Sequence, residues 1–218
     1  MTIEDKDALR GWEKFHAELM ADVPMEHKNR EELERHREYQ ERHPIEWIRY
    51  FFPDYAKSEF APFQIRAIQR CIKQDEWYEV LSWARSLAKS TVVMFIVLYL
   101  ALTGRKHNIM MVSATQDAAK RLLAPYRDEL ENNPRIKAYY GEQAGMGKWT
   151  EEEFVTNADV AFRAIGYGNA PRGSRNKSYR PDVLLVDDFD TDEACRNPDR
   201  VEDMWKFWEK AVYGTRDP

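Results

Sequence analysis

The run Ala84-Arg85-Ser86-Leu87-Ala88-Lys89-Ser90-Thr91 puts two cations and several hydroxyls just ahead of a long apolar stretch. Such residues at a helix start can hold a phosphate. Backbone N–H groups curl around the phosphate oxygens, a lysine adds a point charge, and a Ser or Thr hydroxyl takes Mg2+. The common phosphate loop reads G-x-x-x-x-G-K-[ST]. Here Trp83 and Ala88 stand where the two glycines belong. Ala88 can serve at the tight turn if its φ is negative. On this reading the backbone of Arg85, Ser86, Leu87 and Ala88 wraps the phosphates. Lys89 meets the outer ones and Ser90 meets Mg2+.

A second set of residues complements the first. Val183-Leu184-Leu185-Val186 is apolar and is followed by Asp187, Asp188 and, after Phe189, Asp190. In an open α/β fold ligands bind at the carboxyl ends of the parallel strands. A strand that ends in carboxylates can therefore supply Asp187 to Mg2+, through water and opposite Ser90. Asp188 stands where a catalytic acid would polarise an attacking water. The plainer reading of an Asp pair after a strand is a helix cap or a solvated turn.

These residues need elements to position them. The short run Glu79–Trp83 predicts a strand ahead of the loop. Residues 90–102, STVVMFIVLYLAL, are apolar almost all round and too long for a typical strand, so they predict a buried helix. Asn108–Thr115 predicts a buried strand and the following QDAAKRLLAPYRDELENN a helix. Asp159–Gly166 and Asp182–Asp190 predict two more strands, and DRVEDMWKFWEKAVYG a closing helix. Upstream, Ile65, Ile68 and Ile72 mark an amphipathic helix. Strands alternating with helices imply an α/β fold with a central, mostly parallel sheet flanked by helices. Residues 1–45 are dense in charge, broken near Pro24, and read as a helical arm before a domain spanning 46–218. The arm is either solvated or a contact surface for a neighbouring subunit.

Composition limits the function classes. The chain has 218 residues, 43% hydrophobic and 33% charged, with a net charge of −5. No apolar run is long enough to cross a membrane as a helix, and the first residues lack the apolar core of a secretory signal. The two cysteines, Cys71 and Cys195, are far apart and read as idle thiols. The histidines show no paired ligand spacing, so no zinc site is expected. An overall acidic chain is not a general nucleic-acid binder. DNA contact would need a local patch, or several subunits lining a channel.

Taken together, the residues resemble a known family. Arg85 inside ARSLAKST, the strand and helix NIMMVSATQDAAKRLL, and RGSRNKSYRPDVLLVDDFD look like the ATPase domain of a tailed-bacteriophage terminase large subunit, a DNA-packaging motor. The resemblance covers about residues 45–210 and implies a P-loop NTPase fold of the RecA/ASCE kind. It implies that Lys89 holds the β/γ-phosphates of ATP, with Thr91 beside them, and that Ser90 and Asp187 serve Mg2+. Gln64, in FAPFQIRAI, would contact the adenine. Arg85 would act as a loop arginine in cis, and Arg172, in the basic loop, as the arginine given to a neighbouring subunit. Asp188 replaces the family's usual glutamate and is one methylene shorter, so Asp190 or Glu193 could do its work instead. The implied partners are double-stranded DNA, a portal protein, a small terminase subunit and further copies in a ring. The implied location is the cytoplasm of a bacterial host, at the procapsid vertex. The family's RNase H-like nuclease domain has no room in this sequence. Two rivals stand beside this reading: a helicase-like translocating ATPase, and a nucleotide-binding assembly subunit that does not hydrolyse. Trp205 and Trp208, three apart in the last helix, are expected to pack rather than stack on bases.

Overall fold

The computed structural model describes residues 30–169, 175–189 and 195–216. They divide into two compact units, each with its own core.

The helical unit holds residues 30–105 and 132–141. It contains α1 (Arg30–Arg42), α2 (Pro44–Phe51), α3 (Pro62–Lys73), α4 (Lys89–Leu102) and α6 (Pro134–Tyr140). Helix α4 is the expected apolar helix, with nine residues from Val92 to Ala101 buried. A segment that is apolar all round must be covered all round. Aromatic side chains do this on one side: Phe52 lies 4.9 Å from the Phe95 ring, and Trp47 meets Tyr99 edge-on at 5.2 Å. Helix α1, the described part of the charged arm, is tied in by polar contacts. The Tyr99 and Tyr140 hydroxyls donate to Glu41, and the His36 ring bonds the Tyr139 hydroxyl at 2.8 Å. Helix α6 begins at an Asn133 cap followed by proline. Asn-Pro is a helix-start signal that the sequence reading passed over.

The sheet unit holds the described residues from 106 to 131 and from 142 onward. It contains β1 (Asn108–Ser113), α5 (Gln116–Asn132), β2 (Ala144–Trp149), β3 (Glu153–Thr156), β4 (Ala161–Gly166), β5 (Val183–Val186) and α7 (Pro198–Phe207). A π-helical turn over Trp208–Val212 and a 3-10 turn over Tyr213–Thr215 follow α7. The strand order is β2-β3-β4-β1-β5. Strands β4, β1 and β5 are parallel, whereas β2 and β3 run antiparallel to their neighbours. The sheet is therefore mixed, not mostly parallel. The hairpin was missed because AGMGKW carries two glycines and no clean alternation.

Register assigns the two faces. Met110 pairs with Arg163 and Leu184, and Val112 with Ile165 and Val186. On this face Met110 and Val112 pack with Val212, Phe207 and Trp208 from the C-terminal helical run. On the other face Phe162 meets Tyr126 of α5 and stacks on Phe154 at 4.8 Å. Every residue of β1 is buried, as expected for a strand covered on both sides. Trp208 packs as expected, but Trp205 does not: it is 59% exposed. Among the described residues no helix is long and apolar enough to cross a membrane.

Candidate phosphate loop and acidic strand end

The expected strand Glu79–Trp83 does not form: the segment pairs with no described strand. It is extended in burial pattern only. Glu79, Leu81 and Trp83 are half-buried while Tyr78, Val80 and Ser82 are exposed. The inward residues turn to α3 rather than to a ladder. Glu79 pairs with Arg70 at 3.3 Å, and the Trp83 ring meets Phe63 edge-on at 4.9 Å. Alternation alone cannot distinguish a sheet strand from an extended segment laid along a helix.

The loop after Trp83 is a tight turn into α4. Ser86 has φ 67° and Ala88 φ 56° with ψ 33°, both in the left-handed region. The condition that Ala88 keep a negative φ is thus not met. The chain adopts the conformation glycine would favour, without glycine. A non-glycine residue there costs about 1–2 kcal/mol, and such strain persists only where surrounding contacts over-determine it. Ala88 is the N-cap of α4, and its carbonyl accepts from Val92 N–H at 2.9 Å. Lys89, Ser90 and Thr91 form the first turn of the helix. Arg85, Ser86, Leu87 and Ser90 are exposed, and Lys89 and Thr91 half-buried. The loop therefore offers cationic, hydroxyl and backbone N–H groups at the positive end of a 14-residue helix.

Gln64 sits on the third position of α3, where it performs two tasks. Its Oε1 accepts from Ala61 N–H at 2.8 Å, and its Nε2 donates to the Leu87 carbonyl at 3.0 Å. The residue expected at an adenine is thus bonded to the loop ahead of α4.

The acids lie at the carboxyl end of β5, in the sheet unit. Asp187 N–H donates to the Val112 carbonyl at 3.1 Å, which extends the β1–β5 ladder by one residue. Asp188 has φ 45°, and its carbonyl accepts from Ala114 N–H at 3.2 Å and the Ser113 hydroxyl at 3.4 Å. The pair thus forms a turn held to the end of β1, with the Asp188 side chain exposed and Asp187 half-buried. Burial raises the pKa of the Tyr126 hydroxyl well above its ordinary value, and the charge of Asp187 adds to the effect. Arg172, Asp190 and Glu193 fall outside the described residues. No group of three or more His, Cys, Asp or Glu that could hold a metal occurs among the described residues.

The Arg180-Pro181-Asp182 element has a structural role that the sequence did not reveal. The Asp182 carboxylate accepts from His107 N–H at 2.7 Å and Asn108 N–H at 2.8 Å. Burial raises its pKa, while those two donors work in the opposite direction. The contact fixes the start of β5 against the start of β1. Beside it, Arg163 is 11% exposed in its side chain and joins Glu153 at 2.9 Å, Asn108 at 2.7 Å and the Arg175 carbonyl at 3.2 Å.

No family model, curated protein or solved structure matches this chain.

Proposed function

We propose that this chain is the ATPase part of a DNA-packaging motor of the terminase large-subunit kind, built on a P-loop NTPase fold. The observation that carries the reading is the loop before α4. Ser86 and Ala88 hold left-handed backbone without glycine, directly ahead of Lys89-Ser90 and a buried apolar helix. Strain of this kind clusters at ligand clamps, and the groups it presents are those that bind phosphate.

In this proposal Lys89 and the backbone N–H groups of 86–90 bind the β- and γ-phosphates of ATP, and Thr91 lies beside them. Ser90 and Asp187 are the residues that would hold Mg2+, which neutralises charge on the phosphates when bound. Asp188 orients the attacking water through its carboxylate. Arg85 stabilises the charge spread over the transferring group, and Arg172 is the arginine offered to a neighbouring copy. Double-stranded DNA is gripped mainly through its phosphates, so binding is salt-dependent and nearly sequence-blind. A ring of copies, a portal protein and a small terminase subunit complete the machine in the host cytoplasm.

The test is ATP-dependent phosphate release in Mg2+ and double-stranded DNA, with and without portal and small-subunit partners. Wild-type protein should release phosphate in the assembled mixture, and Lys89→Ala should fall to background. Equal release by Lys89→Ala, or no release in any mixture, overturns the ATPase reading. Unwinding of a tailed duplex would favour the helicase-like rival.

A further inference from the structure

Gln64 is bonded at both ends of its carboxamide. The N-cap of helix α3 is Ala61, whose side chain can cap nothing; Gln64 Oε1 accepts from the Ala61 N–H. The opposite edge of the amide, Nε2, donates to Leu87 O, between the two left-handed residues Ser86 and Ala88. The preceding residue, Phe63, holds Trp83 on the other side of the loop at 4.9 Å. Consecutive residues of one helical turn thus brace the loop at Trp83 and at Leu87, and Leu87 lies between Ser86 and Ala88, whose backbone angles favour glycine. Each end of the amide makes one bond here, to Ala61 N–H and to the Leu87 carbonyl, and keeps a second N–H and a second lone pair besides.

We propose that Gln64 acts as a positioning residue for the phosphate loop, beyond any contact its amide makes with a base. It holds the Leu87 carbonyl turned toward α3, and so keeps the neighbouring N–H groups in the strained arrangement that receives a triphosphate. Its hold on the loop then serves ligands with any base, or none. This inference rests on the nucleotide-binding reading above.

Two variants separate the two bonds. Gln64→Glu keeps the acceptor for Ala61 N–H and loses the donor to Leu87. Gln64→Met loses both. Binding of Mg-ATP, Mg-GTP and inorganic Mg-tripolyphosphate is measured by titration calorimetry on the full chain, with thermal melting alongside. One net hydrogen bond corresponds to about fivefold in affinity. Both variants should weaken all three ligands by at least that factor, and both lose the brace on Leu87, but Gln64→Met, which also loses the helix cap, should lower the melting temperature further than Gln64→Glu. A helix cap alone would weaken binding in Gln64→Met only, and that outcome overturns the inference. Selective loss of ATP with tripolyphosphate unchanged also overturns it, since that marks a base contact. Wild-type protein that binds none of the three overturns both the inference and the nucleotide reading.

Discussion

Replacing Ala88 by glycine should stabilise this protein, although glycine usually destabilises. At φ 56°, ψ 33° the Ala88 Cβ crowds the following carbonyl, at a cost of about 1–2 kcal/mol that glycine removes. Against this, glycine widens the freedom of the unfolded chain by about 0.4–1 kcal/mol. The net gain is about 0.5–1 kcal/mol, or roughly 1–4 °C in melting temperature for a chain of this size. The internal control is Ala84, four residues earlier in the same loop and not at positive φ. There only the unfolded-state effect acts, so Ala84→Gly should lower stability by about 0.4–1 kcal/mol. Ala88→Val should lie below wild type, because a β-branched side chain tolerates the left-handed region least. Denaturant titrations with a common slope give the order Ala88→Gly, wild type, Ala88→Val. If Ala88→Gly and Ala84→Gly fall by the same amount, the strained-loop argument is refuted and the loop relaxes in solution.

Gly166 ends β4 where a Cβ would lie 2.2 Å from the Gln116 backbone nitrogen. Gly166→Ala should therefore cost about 2 kcal/mol or more through forced backbone movement, read from the urea midpoint. Arg163→Met should cost about 2–3 kcal/mol, because Glu153 and Asn108 lose a part-buried charged partner; a loss below about 0.5 kcal/mol would contradict that network. Burial, reinforced by the charge of Glu79 and partly offset by Arg70, pushes the Cys71 thiol up to about 11. A disulfide reagent at pH 8 should react promptly with exposed Cys195 and reach Cys71 only on unfolding. Because the folded thiol has the higher pKa, its contribution to stability is intact below about pH 8.5 and is lost as pH rises toward 11.

What was legible in the sequence is what periodicity and polarity determine locally. The length and near-unbroken apolarity of α4, the short apolar runs of β1 and β5, and the Ile68–Ile72 face of α3 all announce themselves. What was not legible depends on partners. Glu79–Trp83 has strand composition and strand alternation, yet its inward residues meet Phe63 and Arg70 of a helix. The hairpin β2–β3 carries glycines that weaken strand propensity, and it forms because β4 offers a free side for β3. The loop ahead of α4 stood out through Lys89 and Ser90, but its backbone differs from the expected one. Small size at Ala88 suggested a relaxed turn, whereas bracing from α3 makes a strained one possible. The double role of Gln64 and the carboxylate contacts of Asp182 are long-range bonds that no local pattern encodes.

Those contacts of Asp182 have a consequence at the far end of the strand. A slip of β5 by one residue would turn its side chains to the wrong faces, and packing alone forbids it. A slip by two residues would keep every face correct and be almost invisible to the core, yet would carry Asp187 and Asp188 about 6.6 Å along β1. Only a contact that indexes the chain can exclude it. The carboxylate of Asp182 on the two N–H groups of His107 and Asn108 does so. The acidic pair is thus aimed from the opposite end of β5, by a side chain that takes no part in any chemistry proposed for it.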